Sequence, residues 1–287
     1  MGYFDNPLHS KVCMITGAAS GIGAATAYAL AQQGATVILV DRDAEKGALT
    51  VEQIKQQTGN VATELMVADL SSQHEIRRLA QQFKARYQCL DVLVNNAGAI
   101  FDERRESVDG IEMTFALNYL GYFLLTNLLL DTLEASAPAR IINISSRSHA
   151  RAQINFDDLE SRTEYDGLAA YAHSKLAIVL FTYELARRLE GTGVTVNALN
   201  PGIVATSFGR NSGGALGFVM RLFHPFFLSP EQGAQTGIYL ATSPEVEGVT
   251  GKYFVKCKAV SSSPTSYDTA AARRLWEVSE KYTNLGG

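Results

Sequence analysis

The sequence predicts a single α/β domain with helices on both faces of a parallel sheet of about seven strands. Three observations support this doubly wound arrangement. Short apolar segments alternate with helical segments along the whole chain, the apolar segments do not alternate polar with apolar residues, and no linker or repeat divides the chain. Strands without such alternation are buried on both faces, as in parallel sheets covered by helices. We therefore expect residues 1–287 to form one domain.

The predicted elements follow one another in a regular order. A helical pattern follows each strand segment except the last, as in successive βαβ units. Strands are predicted to begin at Lys11, Thr36, Glu64, Asp91, Arg140, Val194 and Lys252. Helices are predicted over Ile22–Gln33, Ala44–Thr58, Gln73–Tyr87, Ile111–Leu133, Tyr171–Glu190 and Glu231–Ala241.

The composition disfavours several classes of function. Of the 287 residues, 46 % are hydrophobic and 19 % are charged, as in proteins with a large core. A formal net charge of −4 gives no reason to expect nucleic acid or an anionic membrane as a partner. Cys13, Cys89 and Cys257 are far apart in apolar surroundings, so they predict buried thiols in a reducing compartment and no metal site.

No targeting or membrane-spanning segment is predicted. The N-terminal residues lack the basic start and apolar core of a signal peptide. The most apolar candidate for a membrane span, Phe115–Leu133, contains Asn118, Asn127 and Asp131. A long buried helix within the α/β pattern explains this segment better. We therefore expect a cytoplasmic protein without a transmembrane anchor.

Two segments interrupt the regular alternation, namely Arg147–Gly167 and Thr206–Pro230. Both leave the carboxyl ends of strands, where open α/β sheets bind their ligands. The second segment combines glycines with several large apolar side chains. We interpret residues 206–230 as an apolar lid over a substrate pocket, although a packed helical excursion or a subunit contact is an alternative.

The first strand leads directly into the sequence TGAASGIG, Thr16–Gly23. A sharp turn from strand to helix needs residues without a Cβ atom, and three glycines of this motif provide them. The helix start then offers free N–H groups and a positive dipole end to a pyrophosphate. The position of the motif predicts a Rossmann-type dinucleotide site. Contacts to the cofactor are expected from Gly17, Ser20, Gly21, Ile22 and Gly23.

Asp41 ends the second predicted strand, about twenty residues after the glycine-rich turn. A carboxylate at this place accepts hydrogen bonds from both adenosine ribose hydroxyls and repels a 2′-phosphate. Ala18 and Ala19 place no cation in the loop to offset that repulsion. Arg42, however, can cover the adenine or pair with a 2′-phosphate. We therefore expect NAD to be preferred over NADP.

Further cofactor contacts are expected where the third and fourth strands end. Asp69 can accept a hydrogen bond from the adenine amino group, with Leu70 beside the ring. The sequence NNAG ends the fourth strand, and its small residues let the backbone pass close to the cofactor. The contacts predicted there are Asn96, Ala97 and Gly98.

Tyr171 and Lys175 are one helical turn apart in the sequence AAYAHSKLA and lie on the same face of a helix. By itself this spacing favours an ordinary exposed helix face, because a tyrosine and a lysine four residues apart often occur by chance. In a nucleotide-binding protein it also suits acid–base chemistry, because a nearby cation stabilises the phenolate of a tyrosine whose pKa is ordinarily about 10. The pair then predicts proton exchange by Tyr171 near neutral pH.

Together, these motifs resemble those of the short-chain dehydrogenases/reductases. The resemblance covers nearly the whole chain and follows the order TGAASGIG, Asp69, NNAG, Asn118, NISS, YAHSK and NPG, with Thr206 next. The sequences NYLGYFLLTNLLL, YAHSKLAIVLFTYELARRL and EQGAQT look most like the retinol-dehydrogenase-like branch. The resemblance implies an NAD(P)-dependent oxidoreductase that interconverts an alcohol and a carbonyl by hydride transfer.

The resemblance also implies roles for individual residues. Tyr171 is expected to be the general base in oxidation and the general acid in reduction, and Lys175 is expected to bind the nicotinamide ribose as well. Ser146 is expected to stabilise the developing oxyanion, and Asn118 to hold a water molecule in the proton relay. Cofactor contacts are implied for Tyr171, Lys175, Pro201, Gly202, Val204 and Thr206.

Some features depart from this branch or leave the function open. Many members begin with a membrane-anchoring helix, whereas this chain begins almost directly at the first strand, and NADP-preferring members carry a neutral residue where Asp41 stands. The apolar lid suggests a lipophilic alcohol, aldehyde or ketone. A homodimer or homotetramer built on Ile111–Leu133 and Tyr171–Glu190 is expected, although these apolar faces can equally be core. The alternatives are a non-catalytic nucleotide-sensing or scaffold protein and a reductase of a ring carbon–carbon double bond.

Overall fold

The structure, a computed structural model, describes residues 8–204 and 228–285. All strands within these residues belong to one sheet. The strands are β1 (Val12–Thr16), β2 (Thr36–Asp41), β3 (Thr63–Val67), β4 (Val92–Asn95), β5 (Ala139–Ile144), β6 (Val194–Asn200), β7 (Tyr253–Val255) and β8 (Lys258–Val260). Their spatial order is β3-β2-β1-β4-β5-β6-β7-β8, and neighbours are parallel except for β7 and β8. The predicted doubly wound α/β fold is confirmed.

Helices cover both faces of this sheet. They are α1 (Gly21–Gln32), α2 (Ala44–Thr58), α3 (Gln73–Arg86), α4 (Met113–Phe115), α5 (Gly121–Leu128), α6 (Leu130–Ala135), α7 (Gly167–Arg188), α8 (Pro230–Thr242) and α9 (Thr269–Thr283). Successive residues of β1 enter two different cores: Met14 packs with the cluster that includes α3, α5 and α7, whereas Ile15 packs with the cluster that includes α1, α2 and α8. This two-sided burial is why the strand segments are continuously apolar.

The direction in which the strands are added reverses at β1. Strand β1 pairs with β2 on one side and with β4 on the other, so the crossovers leave it in opposite directions. A crevice forms at such a switch point beyond the carboxyl ends of the strands. In this chain the crevice lies beyond Thr16 and Asn95, and the predicted nucleotide site therefore lies at this edge.

The sheet has one strand more than the sequence predicts. Strands β7 and β8 form an antiparallel hairpin whose two turn residues, Lys256 and Cys257, have φ angles of 50° and 60°. A two-residue hairpin with positive φ at both positions is usually marked by Asn-Gly or Asp-Gly. Lys-Cys gives no such signal, so β8 was not predicted.

The predicted helix Ile111–Leu133 is divided in the structure. It consists of α4, a π-helical turn over Ala116–Leu120, α5 and α6. Among residues 8–204 and 228–285, no helix is long and apolar enough to cross a membrane. The apolar character of Phe115–Leu133 instead reflects burial, since Tyr119, Tyr122 and Phe123 are each 0 % exposed.

The C-terminal helix α9 lies on the helices that are predicted to form a subunit interface. The Trp276 ring packs 4.9 Å from Phe123 of α5 and 5.8 Å from Phe181 of α7, measured between ring centroids. The Tyr119 hydroxyl also hydrogen-bonds the Ser279 hydroxyl at 2.7 Å. This part of both helices is therefore core within one chain, the alternative left open by the sequence. The predicted oligomeric state itself stays a prediction.

The three cysteines differ in exposure. Cys13 is buried in β1, as predicted, whereas Cys89 and Cys257 are partly exposed and all three thiols are free. The prediction of buried thiols is wrong for these two because Cys89 precedes β4 and Cys257 lies in the hairpin turn. No group of three or more potential metal ligands occurs within the described ranges.

The packing of α9 predicts a large effect of Trp276→Ala on stability. Trp276 is 5 % exposed, so truncation leaves a cavity between α5, α7 and α9. We expect the free energy of unfolding to fall by about 3–5 kcal/mol. Urea unfolding measures this, with Glu277→Ala as the control at the exposed neighbouring position, where we expect a change within about 0.5 kcal/mol. Equal effects of the two substitutions would contradict the assigned packing.

Candidate active site

The ends of β1 and β4 are joined by the side chains of Thr16 and Asn96. The Thr16 hydroxyl oxygen accepts hydrogen bonds from the backbone N–H groups of Asn96 and Ala97, at 2.8 and 3.0 Å. The Asn96 amide donates to the carbonyl of Thr16 at 2.7 Å and to that of Gly17 at 3.1 Å. Asn96 therefore fixes the glycine-rich turn rather than pointing freely into the crevice.

Two glycines of this turn are required by close packing. Gly17 has a φ angle of 63°, and a Cβ atom there would lie 2.8 Å from the Ala97 Cα atom. A Cβ atom on Gly23 would lie 2.3 Å from the Gly17 carbonyl oxygen. The positive φ angle of Gly17 disfavours a side chain there, and the two short distances leave no space for a Cβ atom at either glycine. The turn can therefore bring α1 directly against the end of β1.

The N-terminus of α1 is open to an anion. Its N-cap residue, Ser20, makes no side-chain hydrogen bond to the first turn, whereas Asp43 caps α2, Ser72 caps α3 and Asp166 caps α7. The free N–H groups and the positive dipole end of α1 thus suit a phosphate. Since Ser20 is exposed and lies at the switch point, these residues fit the pyrophosphate of a dinucleotide.

Asp41 lies at the end of β2, as predicted, and its carboxylate binds two backbone groups. It accepts hydrogen bonds from the N–H of Ala19 at 3.0 Å and from that of Asp43 at 3.1 Å. The carboxylate thereby ties the glycine-rich loop to the end of β2. The following residue, Arg42, is exposed. Both groups that are predicted to decide between NAD and NADP thus lie beside the loop.

The residues after β3 and β4 continue this edge. One oxygen of Asp69 accepts hydrogen bonds from the backbone N–H and hydroxyl of Ser71, at 2.9 and 2.7 Å. Leu70 is only 4 % exposed and packs in the core, so little of its side chain is open to a ligand. Gly98 is partly exposed, and a Cβ atom there would lie 3.7 Å from the Lys175 Nζ atom.

The residues after β6 border the glycine-rich helix. Gly202 has a φ angle of 88°, and Val204 forms a parallel bridge with Leu228. A Cβ atom on Gly233 of α8 would lie 2.5 Å from the Val204 side chain and 3.2 Å from that of Ile22, so this packing is tight. Pro201 is partly exposed at the same edge. Thr206 and residues 206–227 of the predicted lid lie outside the described residues.

Lys175 places a buried amine at the centre of the site. It is 3 % exposed, and its Nζ atom donates a hydrogen bond to the carbonyl of Ile144, the last residue of β5, at 2.9 Å. Burial lowers the pKa of Lys175 to about 7. The amine is therefore poised between its charged and neutral forms near neutral pH.

Tyr171 lies beside this amine and beside Ser146. The Lys175 Nζ atom is 5.4 Å from the centroid of the Tyr171 ring. Burial raises the pKa of Tyr171 to about 12, and a side-chain hydrogen bond with Ser146 acts in the opposite direction. The sequence predicts a lowered pKa for Tyr171. The side chains of this chain alone do not lower it, because the effect of burial outweighs that of the hydrogen bond with Ser146.

Asn118 lies in the π-helical turn and is 0 % exposed. Its Oδ1 atom accepts a hydrogen bond from the Ala99 N–H, and its Nδ2 atom donates to the Ala99 carbonyl, both at 2.9 Å. Nδ2 also donates to the Ser174 hydroxyl at 3.1 Å. π-helical turns often occur at functional sites. The Asn118 side chain joins the loop after β4 to α7, and its predicted water contact stays a prediction.

Several residues at this site were not predicted from the sequence. The Ser145 hydroxyl donates to the Lys175 carbonyl at 2.8 Å, and the His149 ring contacts the Ser146 carbonyl at 2.7 Å. The Tyr122 hydroxyl is buried without a hydrogen-bond partner among the residues that the structure describes, and the Lys175 Nζ atom is 6.0 Å from its ring centroid. Ser145 and Tyr122 adjoin predicted motifs, but only His149 carried a chemical signal, a histidine three residues after Ser146.

Comparison with known proteins identifies the family. The model of the family described as short chain dehydrogenase matches residues 11–215. Retinol dehydrogenase 14 of Homo sapiens is 45 % identical to this chain, and the match covers 97 % of the chain and 88 % of that protein. The chain therefore belongs to the short-chain dehydrogenase family, in its retinol-dehydrogenase-like part.

Solved structures agree with this assignment. An uncharacterized protein from Mycobacterium paratuberculosis has a TM-score of 0.78 and 32 % identity, over 99 % of this chain and 98 % of that chain. The NADP active-site complex of RhlG from Pseudomonas aeruginosa has a TM-score of 0.70 and 31 % identity, over 87 % of this chain and 96 % of that chain. The chain is an oxidoreductase that acts on an alcohol or carbonyl group with a nicotinamide nucleotide.

The buried amine predicts a pH dependence of stability. In the unfolded chain the pKa of Lys175 returns to its ordinary value of 10.5, whereas in the folded chain it is about 7. Between these pH values the unfolded chain binds more protons, so stability rises with pH. We expect the free energy of unfolding of the wild type, relative to Lys175→Met, to rise by about 1.4 kcal/mol per pH unit. Urea unfolding across this range measures it, and a difference that is independent of pH would contradict the lowered pKa.

Proposed function

We propose that this chain interconverts an alcohol and a carbonyl on a lipophilic substrate by hydride transfer, at a site formed by Ser146, Tyr171, Lys175 and Asn118. The observation that carries the proposal is that Tyr171 hydrogen-bonds Ser146 and that the buried amine of Lys175 lies 5.4 Å from the centroid of the Tyr171 ring. The group lies beyond the carboxyl end of β5, at the same edge as the uncapped helix α1. A proton-transferring phenol and a dinucleotide site then share one crevice.

The residues of the chain would handle the proton and the charge on the substrate oxygen. In oxidation Tyr171 accepts the hydroxyl proton of the alcohol, and in reduction it returns a proton to the carbonyl oxygen. Ser146 donates a hydrogen bond to the same oxygen as negative charge develops on it. Lys175 in its charged form stabilises the phenolate of Tyr171.

When bound, the cofactor would supply the remaining chemistry, since its nicotinamide would accept or return the hydride and its oxidised ring would add positive charge to the site. We propose Gly17, Ser20–Gly23 and Gly98 as its backbone contacts, together with Pro201, Gly202 and Val204. The exposed N–H groups of α1 and the close approach allowed by Gly98 support this assignment. For Thr206 the proposal rests on sequence resemblance alone.

NAD is the proposed preferred form of the cofactor. The Asp41 carboxylate lies at the end of β2, within hydrogen-bond distance of the Ala19 N–H, and its negative charge opposes a 2′-phosphate there. Arg42 is exposed next to it and favours NADP instead. The NADP complex of RhlG supports the use of a nicotinamide nucleotide. The proposed preference between NAD and NADP in this chain rests on Asp41 and Arg42.

A lipophilic alcohol, aldehyde or ketone is the proposed substrate. The names of the retinol dehydrogenase relatives describe proteins that act on a long apolar alcohol. In this chain, Leu168 in the first turn of α7 and Ile203 after β6 are 54 % and 67 % exposed at the edge that contains Tyr171. Such side chains suit an apolar ligand. A cytoplasmic location and a homo-oligomeric state are proposed from the sequence and its resemblance alone.

Tyr171→Phe tests the proposed chemistry. The substitution removes the hydroxyl and retains the ring, so we expect turnover to be lost while cofactor affinity stays within a few-fold of the wild type. Nicotinamide absorbance with NADH and NADPH, against retinoids, steroids, aliphatic aldehydes and aromatic ketones, measures turnover, and cofactor fluorescence measures binding. Tyr239→Phe is the matched control, because its hydroxyl bonds Glu245 at the end of α8.

The outcomes of this experiment are distinct. Substantial activity in Tyr171→Phe would remove Tyr171 from the mechanism. Cofactor binding by the wild type without turnover of any carbonyl would favour the nucleotide-sensing alternative. Reduction of a ring carbon–carbon double bond without carbonyl turnover would instead identify the protein as a double-bond reductase, the other alternative.

Asp41→Asn tests the proposed preference for NAD. The amide keeps the shape of the side chain, accepts only one of the two backbone hydrogen bonds and removes the negative charge, so the 2′-phosphate of NADP is no longer repelled. We expect the ratio of kcat/KM for NADPH to that for NADH to rise by about tenfold or more, which corresponds to about 1.4 kcal/mol. Arg42→Ala should lower this ratio. An unchanged ratio in Asp41→Asn would show that Asp41 does not decide cofactor choice.

A further inference from the structure

His149 lies in the 3₁₀ turn Arg147–Arg151, three residues after Ser146, and is 3 % exposed. Its ring has a hydrogen-bond partner on each nitrogen. The Nδ1 atom is 2.7 Å from the Ser146 carbonyl oxygen. The Nε2 atom accepts a hydrogen bond from the backbone N–H of Ser263 at 3.0 Å. The ring therefore bridges two backbone segments that are 114 residues apart in sequence.

These partners define the protonation state of the ring. A backbone N–H can only donate, so Nε2 carries no proton, and the proton on Nδ1 donates to the Ser146 carbonyl. Burial lowers the pKa of His149, which favours this neutral form. The ring also packs against Tyr253 of β7, with 4.8 Å between ring centroids. Its position is thus fixed from three sides.

Ser263 is itself well anchored. It is 6 % exposed and immediately precedes the 3₁₀ turn Pro264–Tyr267, which leads into α9. Its carbonyl accepts hydrogen bonds from the N–H and the hydroxyl of Ser266, at 3.0 and 2.6 Å. The segment is joined to α7 through Ser262, whose hydroxyl contacts that of Tyr183 at 2.7 Å. His149 therefore rests on a rigid C-terminal segment.

Ser146, in contrast, has weak local support. It is partly exposed at the start of the 3₁₀ turn, and its hydroxyl contacts the N–H and hydroxyl of Ser148, at 3.2 and 3.3 Å, and hydrogen-bonds Tyr171. The backbone bond from the His149 N–H to the Ser146 carbonyl is also long, at 3.2 Å. The bond from the ring of His149 to the Ser146 carbonyl, at 2.7 Å, is thus shorter than the bonds that Ser146 makes to Ser148 and to the His149 N–H.

We infer that His149 is a positioning residue for Ser146: its ring, anchored by the Ser263 N–H, holds the Ser146 carbonyl and so aims the Ser146 hydroxyl at the reacting oxygen. The inference rests on the proposed function, in which that hydroxyl stabilises developing charge. A misplaced donor loses most of its effect in the transition state and little in cofactor binding. Loss of the bridge should therefore lower kcat more than it changes the KM for the cofactor.

A proline at position 263 breaks the bridge, because it removes the Ser263 N–H and places a ring carbon against the His149 Nε2 atom, which lies 3.0 Å from the Ser263 nitrogen. Ser263 has a φ angle of −66°, which is the angle that proline adopts, so the backbone at position 263 can stay in place while the His149 ring is displaced. Ser263→Ala loses the same hydroxyl and keeps the N–H, which makes it the matched reference. We expect kcat of Ser263→Pro to be about tenfold or more below that of Ser263→Ala, with the cofactor KM within about twofold. The assay uses the best carbonyl substrate of the panel with its preferred cofactor.

A double substitution separates positioning from general damage. When Ser146→Ala already removes the hydroxyl, its aim no longer matters, so Ser263→Pro should lower kcat little further. Independent, multiplying losses would overturn the inference, as would an unchanged kcat in Ser263→Pro. An inactive wild type would instead refute the proposed function, on which the inference depends.

Substitution of His149 gives a second test that holds even if Ser263→Pro does not fold. An asparagine can still donate from its amide to the Ser146 carbonyl, whereas phenylalanine fills the space without a donor. We expect His149→Asn to retain at least severalfold higher kcat than His149→Phe, with circular dichroism and cofactor binding showing that both are folded. Equal kcat values in the two variants would overturn the inference.

Discussion

The site depends on keeping one amine in a dry interior. Lys175 has a single backbone carbonyl as its hydrogen-bond acceptor among the described residues, and its charged form is destabilised by several kcal/mol relative to water. The surrounding fold has to hold it there. The end of β5 provides the carbonyl of Ile144, Ser145 binds the backbone of α7, and Asn118 joins α7 to the loop after β4. The proposed proton exchange and cofactor binding thus depend on the same few elements.

Much of the fold could be predicted because two-sided burial leaves a direct signal in the sequence. The continuous apolar segments correspond to β1–β7, and Gly17 and Gly23 mark a turn that excludes side chains. Features that depend on tertiary packing left no such signal. Lys256 and Cys257 form a tight hairpin without typical turn residues, and the helix Ile111–Leu133 contains a π-helical turn. The sequence did not show what covers the apolar face of α5, because a partner subunit and a helix of the same chain would leave the same apolar pattern. In the structure Trp276 of the same chain covers it.

The proximity of the candidate site residues was predictable where the proposed chemistry needs a particular side chain. Tyr171, Lys175 and Ser146 do meet in the structure. The direction of the Tyr171 pKa was not predictable, because it depends on burial, which the spacing of two residues does not reveal. Contacts to the backbone were equally hidden: any residue but proline at position 263 offers the N–H that His149 binds, and any residue at position 144 offers the carbonyl that Lys175 binds.

The added strand β8 changes what the sheet presents at its border. A parallel sheet that ended at β7 would expose unpaired N–H and carbonyl groups of a strongly apolar strand, and another molecule could add to it. Instead the border is a strand of three residues, all exposed, that runs in the opposite direction and begins with Lys258. Short, charged border strands are poor templates for intermolecular pairing. The hairpin therefore shields the backbone of β7 from pairing with another molecule.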